Sequence, residues 1–179
     1  MNITLLLTLG APIVIVLSIV YLDKFKEPTD LILKTFFIGI LLCIPAGVLN
    51  DLLIDSYEQS YRAGLTEESL KFLVLYFYIR TQTAFDEPMD AIVYGTIISL
   101  GFATLENFSY VYYISSEAES LNTAILRSMS AIPLHATCGI IMGYFFGLHA
   151  FLNSKLALLQ SIVIPVGIHA SYNYLTGSQ

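Results

Sequence analysis

Six apolar segments divide the chain, running approximately over residues 3–22, 31–50, 62–80, 91–114, 123–150 and 156–175. The runs are continuous rather than alternating, which predicts helices and not barrel strands. A helix crossing the hydrocarbon core needs about 20 residues, and only helices or closed barrels satisfy the backbone there. Polar breaks fall at "DKFKEPTD", "NDLLIDSYEQS", "TQTAFDEPMD", "SSEAESLN" and "LNSK". The third segment has the least apolar content. The pattern predicts an all-α polytopic membrane bundle of about six transmembrane helices, a single domain over residues 1–179. The first segment lacks a basic leader and its lysines follow the apolar run, so a retained span is expected rather than a cleaved signal.

Composition strengthens this reading. Of 179 residues, 56% are hydrophobic and 12% charged, with a mean hydropathy of +0.72. Soluble domains are roughly 45–50% apolar and about 25% charged. The net charge of −6, with no basic run, excludes nucleic acid as a partner. Cys43 and Cys138 lie inside apolar stretches without CxxC spacing and read as small buried hydrophobes. Lys24, Lys26, Lys34, Arg80 and Lys155 cluster after segments one, three and five, against Arg62 and Arg127 after two and four. The positive-inside rule then places both termini outside a bacterial cytoplasmic membrane.

Ionisable groups within a bilayer are costly and mark functional sites. The third segment carries Glu67, Glu68 and Lys71; the fourth, Glu106 and Asn107; the fifth, Arg127 and His135; the sixth, His169 and Asn173. At 1.5 Å per residue, Glu106 lies roughly 12 Å and His135 roughly 18 Å below the outer ends of their helices. All four helices bring their polar groups into the same outer-half layer, which predicts a cavity between helices three to six, with helices one and two peripheral. Lys71 follows Glu67 at i+4 and Glu68 at i+3, within reach of either. Arg127, Ala131, His135, Gly139, Gly143 and Gly147 form one i+4 stripe, whose glycines suit close helix packing. Arg127 is expected to snorkel to the interface.

The ordered motifs "EESLK", "FATLEN", "PLHATCG" and "HASYN" resemble those of the PrsW family of intramembrane proteases, distant relatives of the CPBP/Abi CAAX-type membrane peptidases. They match EExxK, FxxxEN, a single-His motif and HxxxN, and span roughly residues 64–175. Lys71 and Glu106 stand where the CPBP branch has Arg and His, which favours PrsW. The resemblance implies endoproteolysis of a membrane-anchored protein outside the cytoplasm, as in site-1 cleavage of an anti-sigma factor.

No GxSxG or HExxH motif is present, so an activated water is the expected nucleophile. Water activation falls to Glu67 or Glu68 with His135 or Glu106. His169 and Asn173 are candidate oxyanion donors, with Lys71 and Asn107 in support. No metal is required by this scheme. A rival uses Glu68, His135 and His169 as a zinc set with water in the open position. A non-enzymatic alternative is a proton-coupled transporter, since buried Glu, Lys and His also line proton pathways.

Overall fold

The computed structural model describes residues 2–177, all of its regular elements helical. The helices are α1 (Ile3–Leu22), α2 (Thr29–Leu53), α3 (Arg62–Phe77), α4 (Pro88–Ser109), α5 (Ser120–Met129), α6 (Ala131–Leu152) and α7 (Lys155–Gly177). A π-helical turn, Tyr110–Ile114, extends α4. Among the described residues, five stretches are long and apolar enough to cross a membrane: α1, α2, α4 with its π turn, α5 and α6 together, and α7. The chain is thus a multi-pass membrane helix bundle. The remaining helix, α3, has 16 residues, about 24 Å of axial rise. Its polar face is turned inward: Thr66, Glu67, Glu68 and Lys71 are all buried, so lipid never meets them.

Local chemistry explains where helices start and stop. Pro88 occupies the first turn of α4, where its missing N–H costs nothing. Asp90 Oδ2 accepts from the Asp86 and Glu87 amides at 2.8 Å each. Asn153, in the left-handed conformation at φ 56°, ends α6 and lets α7 fold back at once.

The fifth apolar segment, expected as one helix over 123–150, is two. Its break at Ser130, with φ −125° and ψ −69°, has a cause in the next turn. Pro133 has no N–H to give the Met129 carbonyl and its ring would clash with that carbonyl. The stripe from Arg127 to Gly147 is therefore interrupted after Arg127, and only its α6 part survives as one face.

That face packs on α4, the central and most deeply buried helix. A Cβ on Gly139 would lie 2.6 Å from the Gly95 carbonyl oxygen, so glycine is what lets the two backbones approach. A similar approach of α2 to α4 occurs at Gly39 and Gly101, whose Cα atoms face each other. Helices α1 and α2 are consequently not peripheral, contrary to the sequence expectation. Asn107 Nδ2 donates to the Thr8 carbonyl at 2.9 Å, and Cys43, Ala46 and Asn50 of α2 line the main cavity. The expectation rested on absent charges, whereas neutral Asn and Thr and a glycine contact do the docking.

Candidate active site

The cavity, of about 910 Å³, opens where α2, α4 and α7 end and α3 and α6 begin. The antiparallel succession of helices places those ends together. At its base lie Glu67, Glu106, His135 and His169, with Glu68 and Lys71 fully buried behind them. Four helices thus converge the polar groups that the sequence placed at one depth.

Hydrogen bonding orders these groups into a chain of fixed polarity. Arg127 Nη2 donates to Glu106 Oε2 at 2.5 Å, and Glu106 Oε2 is 3.0 Å from His135 Nε2. His135 Nδ1 is 3.0 Å from Lys71 Nζ, which also meets Glu68 Oε1 at 2.7 Å. Glu68 Oε1 is in turn 2.8 Å from His169 Nδ1. An ammonium only donates, so His135 Nδ1 accepts and its Nε2–H points to Glu106. His169 likewise donates Nδ1–H to Glu68. His135 is held as a neutral ring by this arrangement, because a second proton would oppose Lys71. With Nδ1–H committed to Glu68, a neutral His169 ring carries its lone pair on Nε2.

Glu67 faces that lone pair, its Oε2 lying 3.8 Å from His169 Nε2 and 4.0 Å from Lys71 Nζ. Among the described residues, Glu67 Oε2 is buried without a hydrogen-bond partner, as is Glu68 Oε2. A buried carboxylate oxygen without a donor is costly, and such orphans are expected where a reactant or ion binds. The rings of His135 and His169 stand edge to face, centroids 4.9 Å apart. Lys71 Nζ also sits 4.2 Å above the centre of the Phe102 ring, a favourable cation–π contact for a buried ammonium.

One ligand atom from each of Glu67, His135 and His169 lies within 4.8 Å of the others. A carboxylate and two imidazoles are donors suited to a catalytic divalent cation such as zinc. His135 must first release Lys71 or Glu106, whereas the orphan oxygen of Glu67 suits the cation. This carboxylate differs from the Glu68 of the sequence-derived zinc set. Glu68 is instead bound to Lys71 and His169 Nδ1, the position of a carboxylate that orients a ligating histidine.

Two further expectations are redrawn. Arg127 does not snorkel: it pairs with Glu106, donates from Nε to Asn107 Oδ1 at 3.0 Å, and stacks 3.9 Å from the Tyr110 ring centre. Its partly buried carboxylate partner outweighs the interface, because Glu106 would otherwise be a poorly compensated charge. Asn173 lines the cavity, but its amide donates to the Ser60 carbonyl at 3.3 Å rather than to any cluster member. Asn107 braces α1 and Arg127. Sequence reasoning missed Asn50 of α2, whose Nδ2 lies 3.4 Å from Glu67 Oε1. Its only signal was a polar residue closing an apolar segment.

Comparison with known proteins decides among the readings this geometry allows. A family model, described as PrsW family intramembrane metalloprotease, matches residues 27–179. The chain belongs to the PrsW family. It is similar to Protease PrsW of Geobacillus kaustophilus, 36% identical over 92% of this chain and 76% of that one. Protease PrsW of Bacillus subtilis is 34% identical over 92% of this chain and 79% of its own. The Clostridioides difficile protein of the same name is 30% identical over 86% and 70%. No solved structure matches. The PrsW membership selects the intramembrane peptidase over the transporter reading of the same buried charges.

Proposed function

We propose that this PrsW-family chain hydrolyses a peptide bond of a membrane-anchored protein in the cavity above Glu67 and His169. The observation that carries the reading is the pair of free acceptors, Glu67 Oε2 and His169 Nε2, 3.8 Å apart at the base of the cavity. A water seated between them loses its proton to Glu67 while its oxygen adds to the scissile carbonyl carbon. The same proton then passes to the departing amine nitrogen, and the C–N bond breaks. Lys71 and Arg127 hold Glu68 and Glu106 as anions, which keep His169 and His135 in their tautomers.

In a metal-bound form Glu67, His135 and His169 would instead be ligands of a divalent cation, in keeping with the metalloprotease description of the family, and His135 would release Lys71 or Glu106 to serve. When bound, such a cation supplies Lewis-acid polarisation of the scissile carbonyl. A metal-free glutamic mechanism is the second reading. It is favoured by His135, both of whose ring nitrogens already have partners.

The substrate is of the anti-sigma-factor kind, a regulatory protein with a membrane anchor, cut on the extracytoplasmic side. In support, the cavity opens at the end of the bundle where α1 starts and α7 finishes. Lys24, Lys26 and Arg80 lie between helices at the other end, where Lys155 starts α7, and the positive-inside rule assigns that end to the cytoplasm.

The test uses purified chain in proteoliposomes with a library of single-span peptides, products being read by mass spectrometry. Glu67→Gln and His169→Ala are expected to abolish cleavage with insertion intact. A Glu67→Gln protein that cleaves near the wild-type rate overturns the assignment. Stoichiometric zinc and chelator-sensitive activity select the metal reading; cleavage by metal-free protein selects the second.

A further inference from the structure

Asn50 stands in the last turn of α2, half-buried on the cavity wall. Its amide is held on both sides. Nδ2 faces Glu67 Oε1 at 3.4 Å, and Oδ1 accepts from the Thr66 hydroxyl. The reverse orientation would set the amide oxygen against a carboxylate oxygen, so Glu67 selects the orientation observed. The Thr66 proton must then go to Asn50 rather than to the Ala63 carbonyl 3.0 Å away, because a hydroxyl has one proton to donate. Among the described residues, Asn50 supplies the one hydrogen bond to the Glu67 carboxylate. The other polar neighbours, His169 Nε2 at 3.8 Å and Lys71 Nζ at 4.0 Å, are beyond hydrogen-bonding range.

This matters because Glu67 has a competitor for its charge. Lys71 is fully buried and already binds Glu68. A Glu67 side chain free to turn would be drawn onto that ammonium, and its acceptor oxygen would leave the face shared with His169. We infer that Asn50 is a positioning residue: it tethers Glu67 Oε1 so that Oε2 remains presented to His169 and to whatever occupies the site. The inference rests on Glu67 acting as the proposed function assigns. It also gives α2 a part in the site, transmitted through a helix anchored on α4 at Gly39 and Gly101.

The experiment titrates cobalt(II) into purified chain in dodecylmaltoside and follows the visible absorption. The wild type, Glu67→Gln, Asn50→Ala, Asn50→Gln and Thr66→Val are compared, each with its thermal unfolding midpoint. Outer partners of metal ligands typically alter affinity about 10–100-fold. Asn50→Ala is expected to bind cobalt that much more weakly, with an altered spectrum and an unfolding midpoint near that of the wild type. Asn50→Gln, which keeps the donor, should recover part of the loss. Thr66→Val, which keeps the shape and frees the amide to turn over, should fall between; it carries the test if Asn50→Ala does not fold.

Wild-type affinity and spectrum in Asn50→Ala, with binding lost in Glu67→Gln, overturn the inference and leave the proposed function standing. A wild type without a cobalt band, or a Glu67→Gln protein with an unchanged one, overturns the metal reading instead. The tether is then read in peptide cleavage, where Asn50→Ala must lower kcat about 10-fold or more at an unchanged KM. An unchanged kcat there overturns the tether.

Discussion

The Glu68 carboxylate and the Lys71 ammonium meet at 2.7 Å with neither side chain exposed. At an effective dielectric constant of 20, their attraction is about 6 kcal/mol, offset by the several kcal/mol needed to strip water from each ion. Breaking one side of such a pair costs about 3–5 kcal/mol, whereas removing both sides together is often close to neutral. The surroundings rank the two single variants. Lys71→Met leaves Glu68 with only the His169 Nδ1–H, and belongs near about 5 kcal/mol. Glu68→Gln leaves Lys71 with Glu67 at 4.0 Å, and belongs near about 3 kcal/mol. Their sum is about 8 kcal/mol, against about 2 kcal/mol or less expected for Glu68→Gln/Lys71→Met. A double-mutant cycle of reversible unfolding in mixed micelles measures the difference. Additive losses would refute the premise that unpaired burial dominates. Cleavage should not recover with stability in the double variant, because His169 no longer donates to an anion, and losing the carboxylate that orients such a histidine costs about 10–100-fold.

Two other outcomes follow from the same structure. Gly101→Ala would set a Cβ against the Phe36 carbonyl and 3.2 Å from the Gly39 Cα; α2 and α4 must separate, at about 1–3 kcal/mol. Gly167→Ala, with nothing within 4 Å, should be neutral or slightly stabilising in the same unfolding assay, and equal losses at both sites would sink the packing argument. Between α1 and α2, burial pushes the Glu27 carboxyl up to about 7, opposed by its bond from the Tyr94 hydroxyl and reinforced by Asp90 and Asp23. The folded chain therefore holds this proton more tightly than the unfolded one, so Glu27 contributes stability that is full below about pH 4.5 and lost as pH rises through about 7. Glu27→Gln should flatten that part of the stability-against-pH curve; an unchanged slope between pH 5 and 8 would refute it.

Much of the protein was legible along the chain. Continuous apolar runs near bilayer length predict membrane helices because every backbone group in lipid must bond within its own segment. The position of each costly side chain along its helix follows from a constant rise per residue, which is why Glu67, Glu106, His135 and His169 could be placed in one layer. The break between α5 and α6 was missed, because the apolar run continues through it, although Pro133 carries its cause. Which group touches which was not legible either. Local spacing allowed Lys71 to reach either glutamate. Tertiary packing brought His135, 64 residues away, onto Lys71 and His169, 101 residues away, onto Glu68, leaving Glu67 as the free carboxylate. Arg127 found Glu106 instead of the interface, and neutral Asn50 joined a site that its own helix gave no charge to announce. Periodicity reports the face a side chain occupies. Its partners depend on how closely the glycines let α2, α4 and α6 approach, and on the need of each buried charge for an opposite one.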